Sequence, residues 1–210
     1  MKKYFLRIAL GLMVIDLSAQ NFAGNIEFVQ ITPKDTSVNI YWVKDNMIKL
    51  DQMAKKGNSI EGSFLFNLQT GNIKFISPKR KLWGNQNSQA PIASNGTFEV
   101  TRGKNIKKIA GYTCVEHTVK NVEENTVITY WITEDRFDFF IKMLRLWNRN
   151  DKQSVFYCQI KNIPMGSMPL MSEEKTLDGK LLSRLEVTKI ETKVPEASTF
   201  VIPSVYTKFE

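Results

Sequence analysis

Short segments with alternating apolar and polar side chains fill the first third of the chain, and that two-residue period predicts β-strands. Ile26 and Phe28 share a face in the first segment, Val38, Ile40 and Trp42 in the second, and Ile48 and Leu50 in the third. Asp45-Asn46 predicts a tight turn between the last two. Phe64, Phe66 and Leu68 continue the pattern, Thr70-Gly71-Asn72 turns the chain, and Ile73 and Phe75 return as the next strand of a meander. Apolar residues also occupy the second face at Val29, Ile31, Tyr41, Val43, Leu65 and Ile76, so neither side of the sheet is expected to be fully wet.

Residues 78–96 are polar, contain two prolines and keep no period, and are expected to form a long loop. Its large apolar residue, Trp83, follows the basic triplet Lys79, Arg80, Lys81. Such a pairing suits lipid headgroups or sugars when exposed; otherwise the tryptophan tucks the loop onto the core. Strands are expected again at Phe98 to Thr101, Ile106 to Ala110, Thr113 to Val119 and Thr126 to Thr133. From Arg136 to Ile160 the period becomes helical, with Phe137, Phe140, Ile141, Leu144 and Trp147 on one stripe and Val155, Phe156 and Ile160 on a second. Asn148 to Asp151 is expected to divide this run into two helices, and Pro164 with Gly166 to end it. Strands near Leu170 to Thr176 and Leu181 to Ile190 follow, joined by an Asp178-Gly179 turn, with a last extended piece from Phe200 to Tyr206.

About ten strands with one or two late helices predict a mainly β (α+β) fold, a curved antiparallel sheet opened into a half-barrel with helix packed on its concave face. Residues 20–210 are expected to form a single β-rich domain.

The start of the chain adds a compartment. Lys2, Lys3 and Arg7 precede an apolar run from Ile8 to Leu17 and the small residues Ser18 and Ala19, the order of a secretory signal peptide. Cleavage is expected between Ala19 and Gln20, leaving a periplasmic or secreted protein. The apolar run is shorter than the roughly 20 residues a bilayer span requires, so no transmembrane anchor is expected after cleavage.

A formal charge of +8 favours anionic partners in general, and lipid headgroups, anionic glycans or the solubility of a charged surface each account for it. No nucleic-acid-binding signature is present, and lipid, an acylated protein or an envelope protein is the expected kind of partner. Cys114 and Cys158 stand in a compartment that permits disulfides. A bridge would stabilise by about 4 kcal/mol on the chain-entropy model; alternatively each is a small buried residue, and the sequence leaves both readings open.

At Lys107-Lys108-Ile109-Ala110-Gly111-Tyr112-Thr113-Cys114 the chain resembles the Ile-x-Gly-Tyr-x-Cys segment of a bacterial exported family, domain of unknown function 4412. The Tyr130-Trp131-Ile132-Thr133 strand, the Gly166 to Leu170 stretch, the Asp178-Gly179 hairpin and the closing Phe200-Val201-Ile202-Pro203 agree with it. Val205-Tyr206 departs from it, since Gly-Tyr is commoner there. The resemblance implies kinship with periplasmic lipoprotein carriers of the LolA and LolB type, whose curved sheet and helix enclose a cavity for acyl chains.

Catalytic chemistry finds little support. The one histidine, His117, lies on a strand without a sequence-evident nucleophile. Glu123-Glu124 and Glu173-Glu174 fall in turn or strand-edge contexts, and no nucleophile elbow, phosphate loop or metal-binding helix occurs. No catalytic residue, metal or cofactor is expected, and the chain is not expected to be an enzyme. The leading expectation is a carrier with an apolar cleft for lipid or acyl chains, lined by Phe64, Phe66, Phe75, Trp131, Phe140 and Leu144. The alternatives are a structural or protein-interaction module with a filled core and, more remotely, a hydrolase of envelope polymers.

Overall fold

The computed structural model describes residues 21–55, 59–87 and 96–209. The expected leader, residues 1–19, lies outside them. One twelve-stranded sheet runs through the chain. β1 (Gly24–Ile31), β2 (Thr36–Lys44), β3 (Met47–Met53), β4 (Ile60–Asn67), β5 (Asn72–Ser77) and β6 (Leu82–Gln86) form the meander. β7 (Phe98–Ile109), β8 (Tyr112–Asn121), β9 (Thr126–Glu134), β10 (Ser167–Lys175) and β11 (Leu181–Glu191) form a second antiparallel run. β11 returns to pair with β1, and β12 (Thr207–Lys208) adds in parallel to β6 at the far edge, giving the order β12-β6-β5-β4-β3-β2-β1-β11-β10-β9-β8-β7. The sheet is curved and open, with its helices on the concave side.

Left-handed residues close several hairpins. Asp45 has φ 52° between β2 and β3, and Ala110-Gly111 has φ 47° and 88° between β7 and β8, the two positive values that a two-residue hairpin matching strand twist requires. The Ala-Gly of the family-like segment is therefore a turn requirement. Gly166 answers a different need: a Cβ there would lie 1.9 Å from the Asp135 carbonyl oxygen, because the Phe137 N–H reaches the Gly166 carbonyl at 3.0 Å as the chain enters the helical insertion.

Two helices occupy that insertion, α1 (Phe139–Trp147) and α2 (Lys152–Tyr157). Phe139, Phe140, Met143, Leu144 and Trp147 bury one stripe of α1. Burying each such side chain contributes roughly 1.5–3 kcal/mol, which outweighs the marginal stability of so short a helix in water. Asn148 ends α1 at φ 50°, and the Asp151 carboxylate caps α2 by accepting the Ser154 N–H at 3.0 Å. The break expected at Asn148 to Asp151 is thus a C-cap followed by an N-cap. No helix among the described residues is long and apolar enough to cross a membrane.

Two sequence expectations need correction. Residues 78–96 are not one loop: after a turn at Pro78 to Lys81, residues 82–86 form β6, held between β5 and β12. The strands expected at Phe98 to Thr101 and Ile106 to Ala110 are one strand, β7, whose register against β8 shifts between Arg102 and Ile106. With β6 and β12 added, the strand count exceeds the expected ten.

The main core lies under the helices on the concave face. A second, smaller core covers the convex face, where Leu65, Ile76 and Phe200 are buried together with Trp42, Met47, Trp83, Ile202 and Tyr206. The tail from Ala197 onwards thus supplies the cover that apolar residues on the second face called for. At its border the Asp51 carboxylate, 3% exposed, accepts the Trp42 indole N–H at 2.9 Å and the Ser63 hydroxyl at 2.5 Å, with the Lys49 ammonium 3.1 Å away.

Candidate functional site

The alternation of β1, β2 and β3 brings Phe28, Tyr41 and Leu50 to the concave face, and β10 and β11 bring Met168, Leu185 and Val187 beside them. Phe140, Leu144 and Trp147 of α1 and Tyr157 of α2 lie across these strands. Helix and sheet leave between them a cavity of about 440 Å³, within the range of small-ligand sites. A second set of lining groups is polar: Gln30, Ser37, Asn39, Gln52, Gln153 and Ser154, with Asp35, Lys55, Glu61, Arg149 and Asp151. Gln30, Asp35, Lys55, Glu61 and Arg149 are exposed, whereas Phe28, Tyr41, Leu50 and Val187 are buried. The cavity therefore runs from an exposed, charged mouth to a buried floor that is mostly apolar and aromatic, with Asn39 and Ser172 as its buried polar members.

Ion pairs order the mouth. Lys55 and Asp35 meet at 2.7 Å, and the hydrogen bond from Lys55 holds the Asp35 carboxyl below its usual range. The Arg149 guanidinium stacks 4.6 Å from the Trp147 ring and reaches Asp151 at 3.2 Å. Deeper in, burial pushes the Tyr41, Tyr130 and Tyr157 phenols above their usual range, so these groups act as neutral hydrogen-bonding surfaces. The Gln153 amide donates to Ser183 Oγ at 2.9 Å, while its Oε1 is buried without a partner.

Of the six residues expected to line a cleft, the structure places Phe140 and Leu144 at the border of this cavity. Phe64, Phe66 and Phe75 share the concave face but pack ring against ring beside the cavity, with Phe66 fully buried: Phe64 lies 6.4 Å from Phe66, 5.2 Å from Phe75 and 4.8 Å from Trp147. Trp131 sits on the opposite face, paired with Met171 and with the Lys107 ammonium 4.7 Å from its ring. Its neighbours Tyr130 and Ile132 are buried where it is half-exposed, so alternation along β9 assigns it to the convex side. Among the lining residues that sequence reasoning missed, Phe28, Tyr41, Leu50, Met168, Leu185 and Val187 come from strands whose register across the sheet is set by distant pairing, and Trp147 and Tyr157 come from the two helices.

Cys114 and Cys158 are both free thiols. Cys114 is buried in β8, where burial pushes its thiol up to about 11, and Cys158 is exposed just after α2. The open alternative of a bridge is not what the structure holds; the small-buried-residue reading fits Cys114. His117 is buried opposite Tyr130, with Nδ1 3.3 Å from the Val115 carbonyl oxygen. The acidic pairs do not converge on a cleft: Glu173 pairs with Lys175 at 2.8 Å, Glu174 accepts from Ser183 at 2.9 Å, and Glu124 lies 3.5 Å from Lys152. Among the described residues no group of His, Cys, Asp and Glu is placed to hold a metal ion.

Comparison with known proteins gives fold and family. No curated protein matches the chain. An uncharacterized conserved protein from Thermus thermophilus is similar in fold at 6% identity and a TM-score of 0.52, with 89% of this chain and 90% of that one covered. MucB is 14% identical at a TM-score of 0.49 over 90% of this chain, which spans 59% of the MucB chain. The Pseudomonas aeruginosa MucA/MucB complex gives 11% identity and a TM-score of 0.48, covering 87% of this chain and 56% of that one. The model of the family described as Domain of unknown function (DUF4412) matches residues 22–206, and the chain belongs to that family.

Proposed function

We propose that this chain is a non-catalytic binding or carrier domain of the bacterial envelope, periplasmic or secreted, whose cavity takes a lipid or acyl chain. The observation that carries this reading is the hollow left between α1, α2 and the concave sheet, mostly apolar at its floor and polar at its mouth. An aliphatic chain would remove the floor of Phe28, Leu50, Leu144 and Val187 from water. The head of such a molecule would meet amides and hydroxyls at the mouth, and further in the buried, unpartnered Gln153 Oε1 offers an acceptor to a hydroxyl or amide donor. Export of the chain follows from the leader expected over residues 1–19.

Native mass spectrometry of the purified protein tests this. Bound lipid mass is expected on the parent chain and is expected to vanish from a Leu185→Trp variant, whose indole fills the cavity while the fold survives. Bare protein in both cases would reject the carrier and favour a structural or protein-interaction module with a filled core, a reading supported by the packing of Phe64 and Phe66 against Trp147 and of Phe75 against Phe64.

A further inference from the structure

One corner of the sheet carries a concentration of unneutralised positive charge. The β5–β6 turn, closed by the Lys81 N–H on the Pro78 carbonyl at 3.2 Å, holds Lys79, Arg80 and Lys81 exposed at its tip. Just beyond it, the Lys74 and Lys208 ammonium groups lie 4.9 and 5.7 Å from the centre of the Trp83 ring. The indole eases the proximity of these two like charges. None of the five cations joins a salt bridge among the described residues, in contrast to Lys49, Lys55, Lys120, Lys152, Lys175 and Lys189. The sequence explains why: it holds no acidic residue between Glu61 and Glu99, nor between Glu196 and Glu210.

An apolar tip adjoins the charge. The Thr207 N–H donates to the Lys81 carbonyl at 2.9 Å, which seats the turn from Pro203 to Tyr206 against the cationic turn. Val205 in that turn is 69% exposed, at the position where the family resemblance leads one to expect glycine. Clustered cations beside a protruding aliphatic group combine the two features that bind proteins to membrane surfaces, attraction to anionic headgroups and shallow apolar insertion.

We propose that this corner docks on the surface of an anionic lipid bilayer, with Lys79, Arg80 and Lys81 against headgroup phosphates and Val205 in the interface. The turns after β1, β3 and β5 lie at one end of the sheet, so docking sets the end that carries Asp35, Gln52, Lys55 and Glu61, the cavity mouth, toward the bilayer. The docking stands without any cavity ligand; only its use for loading rests on the carrier reading above.

Co-sedimentation of the purified protein with phosphatidylglycerol vesicles, against neutral phosphatidylcholine vesicles, tests the proposal. Binding is expected to the anionic vesicles alone and to weaken as salt rises. Lys79→Glu, Arg80→Glu and Lys81→Glu together are expected to weaken partition at least tenfold, and Val205→Ser to weaken it further without changing net charge. The exposed lysines Lys142, Lys161 and Lys193, reversed to Glu as an equal change in charge, are expected to leave most of the binding intact. Absence of vesicle binding, equal losses from the two triple variants, or capture by a sulfated polysaccharide without vesicle binding would each overturn it. Lipid mass retained by the Lys79, Arg80, Lys81 variant in native spectra separates a failure of docking from a failure of the cavity.

Discussion

The Tyr130 hydroxyl donates to the Gln153 main-chain carbonyl across 2.7 Å, so the floor of the sheet grips the first turn of the helix whose side chains border the cavity. Tyr130→Phe keeps the ring and deletes this bond. A loss of about 1 kcal/mol in unfolding free energy is expected, read as a lower urea midpoint at unchanged slope. A midpoint equal to the parent's would show that the bond contributes nothing net.

A larger loss is expected at Asp51, where one buried carboxylate serves Trp42, Ser63 and Lys49 on three neighbouring strands. Asp51→Ala strands an indole N–H, a hydroxyl and an ammonium group at once, at a cost of roughly 3 kcal/mol or more. Asp51→Asn retains an acceptor and should recover part of it. Denaturant titration of both variants checks the ranking, and equal stability of Asn and Ala would contradict it.

His117 makes stability depend on pH. Burial disfavours its charged form and lowers its pKa below the ordinary 6.5; the Val115 carbonyl and Glu134 oppose this, and Arg102 adds to it. The unfolded chain takes up this proton near 6.5, where the folded chain still refuses it. The histidine's contribution is therefore complete above 6.5, declines as the pH falls below that value, and is lost once the pH passes the folded-state value. Unfolding measured against pH should show a fall below 6.5 that His117→Gln reduces; an identical fall in the variant would assign it to other groups.

Thiol reactivity distinguishes the two cysteines. Cys158 is exposed and Cys114 buried, and burial raises both thiols, so native alkylation is expected to be slow and to modify one thiol per chain. Unfolding should make a second available without reductant. Cys158→Ser should abolish the native reaction, and absence of any thiol before reduction would contradict the free pair.

Local pattern makes most strands and both helices legible: the meander alternates cleanly, and the stripe from Phe140 to Trp147 has one reading. Strand β6 is hidden because Trp83-Gly84-Asn85 does not alternate and because one of its neighbours, Thr207–Lys208, arrives from the other end of the chain. Trp131 is misplaced when aromatic size is allowed to outweigh the alternation that puts Tyr130 inside. The cavity itself is only partly legible. Phe140 and Leu144 announce themselves as a helical stripe, whereas the meeting of Val187 with Phe28 depends on β11 closing against β1, a pairing no local window contains.

That late closure also orders the folding of the chain. The meander can zip strand by strand as it is synthesised, but β1 keeps one flank of amide and carbonyl groups unanswered until β11 is delivered, most of the chain length later. During that interval the molecule is half a sheet with a naked central edge, open to addition by another nascent copy. The seam at the centre of the finished sheet thus waits for one of the last strands of the chain, and among the strand pairings only the edge addition of β12 to β6 draws on residues later still.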